Sequence, residues 1–462
     1  MKKKIILIFI TLLILLMAGC GSSSNRTART SNIKEQTENI NEEEISANVR
    51  TPDKANITKA AVQKDNEDAQ DESRKKPVSY IYRWPPAEED FFLKSRPDSM
   101  SELKLWGSAL DLRQADLRGL DFSNESERLT DIVFDTSTIW PEKLPDNFNP
   151  EKIMETGKNP GLGIRDLQSK GITGKGVSIA IIDQPLLIEH EEYCDRIKWY
   201  DEINAEGSAA MHGAFVASIS VGKSIGVAPE ADLYYIGSYN MDFSADGEIS
   251  YTYIAEAVDK IIEINKSLPD NNKIRALSMS MVWCPDNKGY KEITEAVERA
   301  KKEGIFVISC DLFESYGFWT YSMDKLPAAD PDDHNSYFPF KWKAWLDLTG
   351  NNPVFASYYQ KAFTDNFNSE FLLVPIGSRT HAIPTAPDDY RFVRTGGWSL
   401  MEPYLAGLYA LACQVYPDIT PERFWEEALK TGEAGEISDG DNKYSAKLIN
   451  PANLIKSLQR EQ

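Results

Sequence analysis

The sequence predicts an α/β protein organised on a parallel sheet with helices on both faces. Two observations carry this. From residue 160 onward, short apolar runs alternate with longer stretches of helical spacing. The run Val177 to Asp183 is apolar almost throughout, as a strand buried on both faces of a parallel sheet requires. Alternation of this kind places functional groups at the carboxyl ends of the strands.

The strands and helices can be read in order. Leu233 to Ile236, Ile274 to Val282, Ile305 to Ser309 and Phe371 to Ile376 have strand character. His212 to Val221 opens a helix. Ile254, Ala257, Val258, Ile261 and Ile262 share one helical face. Ile293, Ala296, Val297 and Ala300 mark another helix, which Gly304 stops. Leu400 to Tyr416 contains no lysine or arginine and reads as a buried helix. Pro403 is tolerated in its first turn, where an N–H is not needed. Ser399 therefore stands at a helix N-terminus, where free N–H groups and the dipole favour negative charge. Residues 312 to about 370 interrupt the alternation with Trp319, Trp342, Trp345 and the acidic run Asp330-Pro331-Asp332-Asp333. This segment suits either a wall of a cleft or an ordered surface insertion.

The N-terminal third is different. Lys2, Lys3 and Lys4 precede an apolar run from Ile5 to Met17, and Ala18-Gly19-Cys20 follows. That is the pattern of a secretory signal. The run of about 13 residues spans roughly 20 Å as a helix, short of the ~30 Å core of a bilayer. The ending Leu16-Met17-Ala18-Gly19-Cys20 resembles a bacterial lipoprotein signal. The resemblance implies cleavage after residue 19 and a lipidated Cys20 on the extracytoplasmic side of a membrane. Residues 21–76 contain no aromatic residue and are rich in polar types, so they bury too little to fold. Residues 20–76 read as a tether with a reach of about 40 Å.

Residues 77–155 read as a small subdomain. Leu112, Leu117 and Phe122 recur every five residues, each preceded at two positions by Leu110, Ala115 and Leu120. Leu129 and Phe134 repeat the spacing. This resembles pentapeptide-repeat proteins, although so short a run needs a neighbour to pack against. Residues 156–435 hold the main domain, and 436–462 read as a tail of low information.

Composition excludes some partners. The formal charge is −20, and −23 once the three lysines are removed. Such a chain does not seek nucleic acid by its field. Of five cysteines, Cys194, Cys284, Cys310 and Cys413 remain beside Cys20. Four allow three pairings, and separate buried thiols are the simpler reading. No Cys or His spacing suggests a metal site.

Three blocks carry the chemistry. They are Gly171 to Asp183, Met211-His212-Gly213 to Ser218, and Gly396-Gly397-Trp398-Ser399 to Gly407. A serine nucleophile needs a base and a group that orients the base. The order Asp183, His212, Ser399, each at a strand end or helix start, resembles the subtilisin-like serine proteases over roughly residues 160 to 435. The family's block Gly-Thr-Ser-Met-Ala-x-Pro-x-x-Ala-Gly matches here at Gly397, Ser399, Pro403, Ala406 and Gly407. The resemblance implies a subtilisin-like fold and peptide hydrolysis, with Ser399 as nucleophile, His212 as base and Asp183 orienting it. It implies a peptide or protein substrate and needs no cofactor for the chemistry. Many members use structural calcium, but the acidic run lacks a recognisable loop spacing.

The departures are informative. Gln184-Pro185 follows the Asp, where the family has Ser or Thr and Gly. Trp398 replaces the Thr before the serine, and Phe215 replaces a second His. Asp311 falls where the family's Asn donates to the oxyanion. Met279, Ser280 and Met281 resemble a substrate-edge segment, with Val282 in place of Gly. The sequence thus supports a membrane-tethered endopeptidase, with a subtilisin-like peptide-binding or partner-binding protein of impaired catalysis as the alternative.

Overall fold

A computed structural model describes residues 96–460, apart from 107, 206–207, 244–247, 342–369 and 440–441. The expected signal segment, the Cys20 lipid site, the tether, Trp342 and Trp345 lie outside the described residues. All described residues belong to one compact unit.

The described chain opens with strands β1 (Lys104–Trp106), β2 (Ala109–Asp111) and β3 (Ile132–Asp135), then helices α1 (Pro150–Lys158) and α2 (Ile164–Ser169). The central layer follows: β4 (Ser178–Asp183), β5 (Ile197–Ile203), α3 (Met211–Val221), β6 (Asp232–Ser238), the short pair β7 (Met241–Asp242) and β8 (Glu248–Ile249), α4 (Thr252–Ser267), β9 (Ile274–Met279), α5 (Tyr290–Lys302) and β10 (Phe306–Ser309). Strands β10, β9, β4, β6 and β5 lie side by side in that order and run parallel. This is the sheet that the alternation of apolar runs predicts.

The two faces follow from the period-2 rule. Ala180 and Ile182 of β4, with Tyr234 and Ile236 of β6, pack against Ile254, Val258 and Ile261 of α4 and Ile293 and Val297 of α5. Their neighbours Ile179, Ile181, Leu233 and Tyr235 face the other way, into a core shared with α3 and with α7 (Met401–Val415). α7 is buried along most of its length, which explains its lack of basic residues.

After the short helix α6 (Leu312–Tyr316), β11 (Thr320–Lys325) pairs with β12 (Tyr337–Pro339) on one side and β13 (Phe371–Pro375) on the other, in a second sheet. The start of the aromatic segment packs inward, whereas residues 326–339 are mostly exposed or half-buried. Trp319 and Phe318 are buried in the main core, Trp319 stacked on Phe313 at 4.0 Å. Phe318 stacks at 4.5 Å on Trp425 of α8 (Pro421–Thr431).

Two expected boundaries are corrected. β14 (Arg379–Ala382) and β15 (Tyr390–Val393) extend the sheet of β1, β2 and β3, with Arg391 opposite Asp135. Residues 96–155 are therefore tied by hydrogen bonds to strands that precede Ser399, and do not fold apart from them. The five-residue spacing buries Leu112, Leu117 and Phe122 completely. Their N–H groups donate to Val133, Ile139 and Lys143 carbonyls at 2.9, 2.8 and 2.9 Å. The residues read as a tail also fold. β16 (Glu433–Asp439) and β17 (Asn442–Leu448) complete the second sheet, and α9 (Pro451–Gln459) buries Leu454, Ile455 and Leu458. Alternation there is masked by lysines and glutamates on the exposed face of a sheet covered on one side.

Candidate active site

Asp183 ends β4 and is 4% exposed. Its Oδ1 accepts the N–H of Gln184 at 2.8 Å and lies 2.7 Å from His212 Nδ1. The unusual Gln184-Pro185 sequence thus keeps a backbone donor on the carboxylate. The turn is held from below as well, because the Tyr235 hydroxyl donates to the Gln184 carbonyl. The Ala210 N–H donates to Pro185 O at 2.8 Å, which sets the start of α3 against the end of β4.

His212 is in the first turn of α3. The approach is close enough to require glycine next to it: a Cβ on Gly213 would strike the Gln184 carbonyl and come within 2.6 Å of the Tyr235 hydroxyl. Burial works to lower the basicity of the His212 ring. The charge of Asp183 and the hydrogen bond to it more than offset that, and the net shift is upward from the ordinary histidine value.

Ser399 sits in the 3-10 turn Trp398–Leu400, directly before α7, and is half-buried. That turn and α3 pack against each other. Ser280, one residue past β9, donates its hydroxyl to the Ser399 carbonyl at 2.8 Å. The structure therefore brings Asp183 and His212 into direct contact and sets the Ser399 turn against the helix that carries His212. Among the described residues no hydrogen bond joins Ser399 Oγ to His212. Such contacts are often long before a substrate is bound. A small open hollow lies beside the pair, lined by Asp183, His212, Tyr239, Asn240, Ser280 and Met281 among others.

Asp311 follows β10, but its side chain turns into α6, where it accepts the Glu314 N–H at 3.3 Å as the helix N-cap. That is an acceptor's role, opposite to the one an oxyanion donor performs. Of the three expected edge residues, Met279 is fully buried in the core under the sheet and presents no side chain to a cleft. Met281 folds back, its N–H donating to Met279 O at 2.7 Å, and it is half-buried. Only Ser280 and Met281 border the hollow.

The other histidines have other partners. His190 is buried, with Nε2 3.0 Å from the Asp389 carbonyl. His334 Nδ1 pairs with Glu433 at 2.6 Å. His381 is buried, stacked at 4.3 Å on Phe215, and burial pushes its basicity well down. Phe215, the expected second histidine position, thus serves as a packing partner. Among the described residues no three His, Cys, Asp or Glu side chains converge as a metal-binding group. In the acidic run, Asp332 is committed to Asn159 and the Gly163 N–H, both at 2.8 Å. Cys194, Cys310 and Cys413 are free thiols.

Sequence reasoning missed Glu402. It is 2% exposed, one turn after Ser399, inside the apolar helix. The signal was present, since a lone carboxyl in a buried helix is rare.

The chain resembles known proteins over parts of its length. The family model for the subtilase family matches residues 174–311. Serine protease AprX of Bacillus subtilis (strain 168) is 25% identical over 308 residues, which cover 62% of this chain and 67% of that protein. Subtilisin-like protease 2 of Arthroderma otae is 30% identical over 139 residues, 29% of this chain and only 30% of that protein's length. Among solved structures, a cold adapted subtilisin-like serine proteinase aligns at 16% identity and a TM-score of 0.40, over 60% of this chain and 89% of its own. The prenylagaramide maturation protease PagA aligns at 15% identity and a TM-score of 0.42, over 65% and 99%. The family model spans the Asp183 strand, the His212 helix and the sheet through Asp311, and over those residues the chain is similar to the subtilase family.

Proposed function

We propose that this chain is a serine endopeptidase, held on the extracytoplasmic face of a bacterial membrane by a lipid on Cys20. The observation that carries the peptidase reading is the 2.7 Å contact of His212 Nδ1 with Asp183, on a helix packed against the Ser399 turn. With its proton on Nδ1, His212 donates a hydrogen bond to Asp183, which leaves Nε2 as the base. In this reading Ser399 Oγ attacks the peptide carbonyl while His212 Nε2 takes its proton. The same nitrogen then delivers that proton to the leaving amine, and water repeats the cycle on the acyl-enzyme. Asp183 stabilises the imidazolium throughout. In this reading the backbone N–H of Ser399, at the start of α7, serves the developing oxyanion. The expected substrate is an extended peptide or protein segment.

The experiment is digestion of a defined peptide mixture by the protein and by Ser399→Ala. Cleavage by the first alone supports the reading. Cys20→Ser tests the anchor, because it should move the protein from the membrane fraction to the soluble one. A second reading, a peptide-binding protein of impaired catalysis, is favoured by Asp311, whose carboxylate accepts a hydrogen bond and offers the oxyanion none. Peptide binding without cleavage in the same digest would support it.

A further inference from the structure

Gln184-Pro185-Leu186 leads away from Asp183 outside any strand or helix, so its backbone groups must find partners elsewhere. The Gln184 N–H goes to Asp183 Oδ1 at 2.8 Å, and the Pro185 carbonyl accepts the Ala210 N–H at 2.8 Å. Pro185 has no N–H to satisfy. The groups on either side of it go to two tyrosines. The Tyr235 hydroxyl donates to the Gln184 carbonyl. The Tyr200 hydroxyl accepts the Leu186 N–H at 3.1 Å and itself donates to Glu202 at 2.6 Å. Tyr200 and Tyr235 stand opposite each other on the parallel strands β5 and β6, fully buried, with their rings stacked at 5.8 Å.

Two glycines make room for this pair. Gly213 follows His212, and a Cβ on it would come within 2.6 Å of the Tyr235 hydroxyl. Gly237 lies opposite Asp183 on β6, and a Cβ there would meet Pro185 Cα at 3.2 Å and the Tyr200 hydroxyl at 3.4 Å. The Tyr235 hydroxyl therefore stands between the end of β4, which carries Asp183, and the first turn of α3, which carries His212.

We propose that Tyr235, with Tyr200 as its partner, is a positioning residue: the two hydroxyls pin the turn after Asp183 on both sides of Pro185 and so hold the carboxylate against His212. This rests on the peptidase reading above. Loss of the Tyr235 hydroxyl would strand the Gln184 carbonyl and free the turn to shift. The 2.7 Å contact between Asp183 and His212 depends on where that turn leaves the carboxylate. Small misplacements of this kind are costly in a catalytic site.

The test is the rate at which a fluorophosphonate labels Ser399 in the full chain, followed from about pH 5 to about pH 9, across the range where a histidine titrates. The variants are Tyr235→Phe, Tyr200→Phe and, as a control, Tyr321→Phe. Tyr321 also buries a hydroxyl that donates to a backbone carbonyl, that of Phe340 at 2.8 Å, but it lies on β11. Each change keeps the ring and removes one oxygen. Tyr235→Phe should label about tenfold more slowly on the plateau. Its acid limb should also move down by about half a pH unit or more. That limb reports on the Asp183 contact, because the charge of Asp183 and the hydrogen bond to it raise the basicity of His212. His381, which feels His212 from β14, stays neutral across the range because burial pushes its basicity well down. Tyr200→Phe should change both readouts in the same direction, and Tyr321→Phe should change neither. Urea unfolding shows which variants are folded. If Tyr235→Phe does not fold, the Tyr200→Phe profile decides: a lowered limb supports the proposal and an unmoved one overturns it. A folded Tyr235→Phe with the wild-type rate and limb would overturn the proposal, whatever stability it loses. If the folded wild type labels at no pH, the peptidase reading itself fails and the positioning role goes with it. That outcome is distinct from labelling that ignores residue 235.

Discussion

The hydroxyl of Ser280 donates to the backbone carbonyl of Ser399 across 2.8 Å, so the end of β9 grips the turn that starts α7. The bond holds the proposed nucleophile by its backbone and leaves the side chain free. Its loss should therefore act on geometry and not on the chemistry of the hydroxyl. Ser280→Ala should lower kcat by about fivefold to tenfold, the equivalent of about 1 kcal/mol for a single hydrogen bond, with KM nearly unchanged. Steady-state kinetics on any cleaved peptide checks this.

His212 gives a pH prediction with a definite sign. Its basicity is raised in the folded state, so it stays protonated, and unable to act as a base, to a higher pH than an ordinary histidine. kcat/KM should rise with pH through a value above 6.5, the unperturbed figure. Asp183→Asn should move that limb to lower pH and cut the plateau by at least about a thousandfold. The stability that the pair contributes is fully present below the unfolded-state value and is lost as pH rises through the folded one. Urea unfolding across pH 6 to 9 should show this decline, and Asp183→Asn should flatten it.

Gly213 should tolerate no side chain. Gly213→Ala would drive a methyl group into the Gln184 carbonyl and the Tyr235 hydroxyl, both of which fix the turn after Asp183. A loss of about 1–3 kcal/mol in unfolding free energy is expected, the usual result of overpacking. The peptidase rate should fall together with it.

Asp311 separates two roles. As a helix cap, Asp311→Ala should cost about 1 kcal/mol, whereas Asp311→Asn should keep the cap. With the side chain turned toward Glu314, the labelling rate of Asp311→Asn should stay within about threefold of wild type. A gain of about 10²–10³ would instead put this carboxylate at the oxyanion, where it opposes catalysis.

Arg379 carries a cost that a substitution can remove. Its guanidinium is buried 5.4 Å over the ring of Tyr404, and none of its nitrogens has a hydrogen-bond partner among the described residues. Burial lowers its basicity, though Tyr404 and Tyr337 work against that. Arg379→Met keeps the bulk and removes the charge. It should raise the urea midpoint, by about 1 kcal/mol or more of unfolding free energy.

Much of this site was legible in the sequence because its parts are local. Val177 to Asp183 announces a buried strand by composition alone, and His212 and Ser399 each open an apolar helix. What was not legible depends on contacts between distant segments. The capping role of Asp311 is set by the turn into α6, which a comparison of strand ends does not reveal. Met279 reads as an edge residue, but its place in the alternation of β9 puts it in the core. The strands β16 and β17 escaped because their exposed residues are charged and because β13, the partner of β17, lies far earlier in the chain, with Phe371 opposite Ala446. The grip of Ser280 on Ser399 joins residues 119 positions apart, and no local pattern encodes it.

The most direct measurement is mass spectrometry of the protein after treatment with a fluorophosphonate, with peptide mapping of the adduct. The account predicts one adduct, on Ser399, lost in Ser399→Ala and strongly slowed in His212→Ala. A folded wild-type protein that carries no adduct, or carries it on another residue, would contradict the assignment of Asp183, His212 and Ser399 as one catalytic unit.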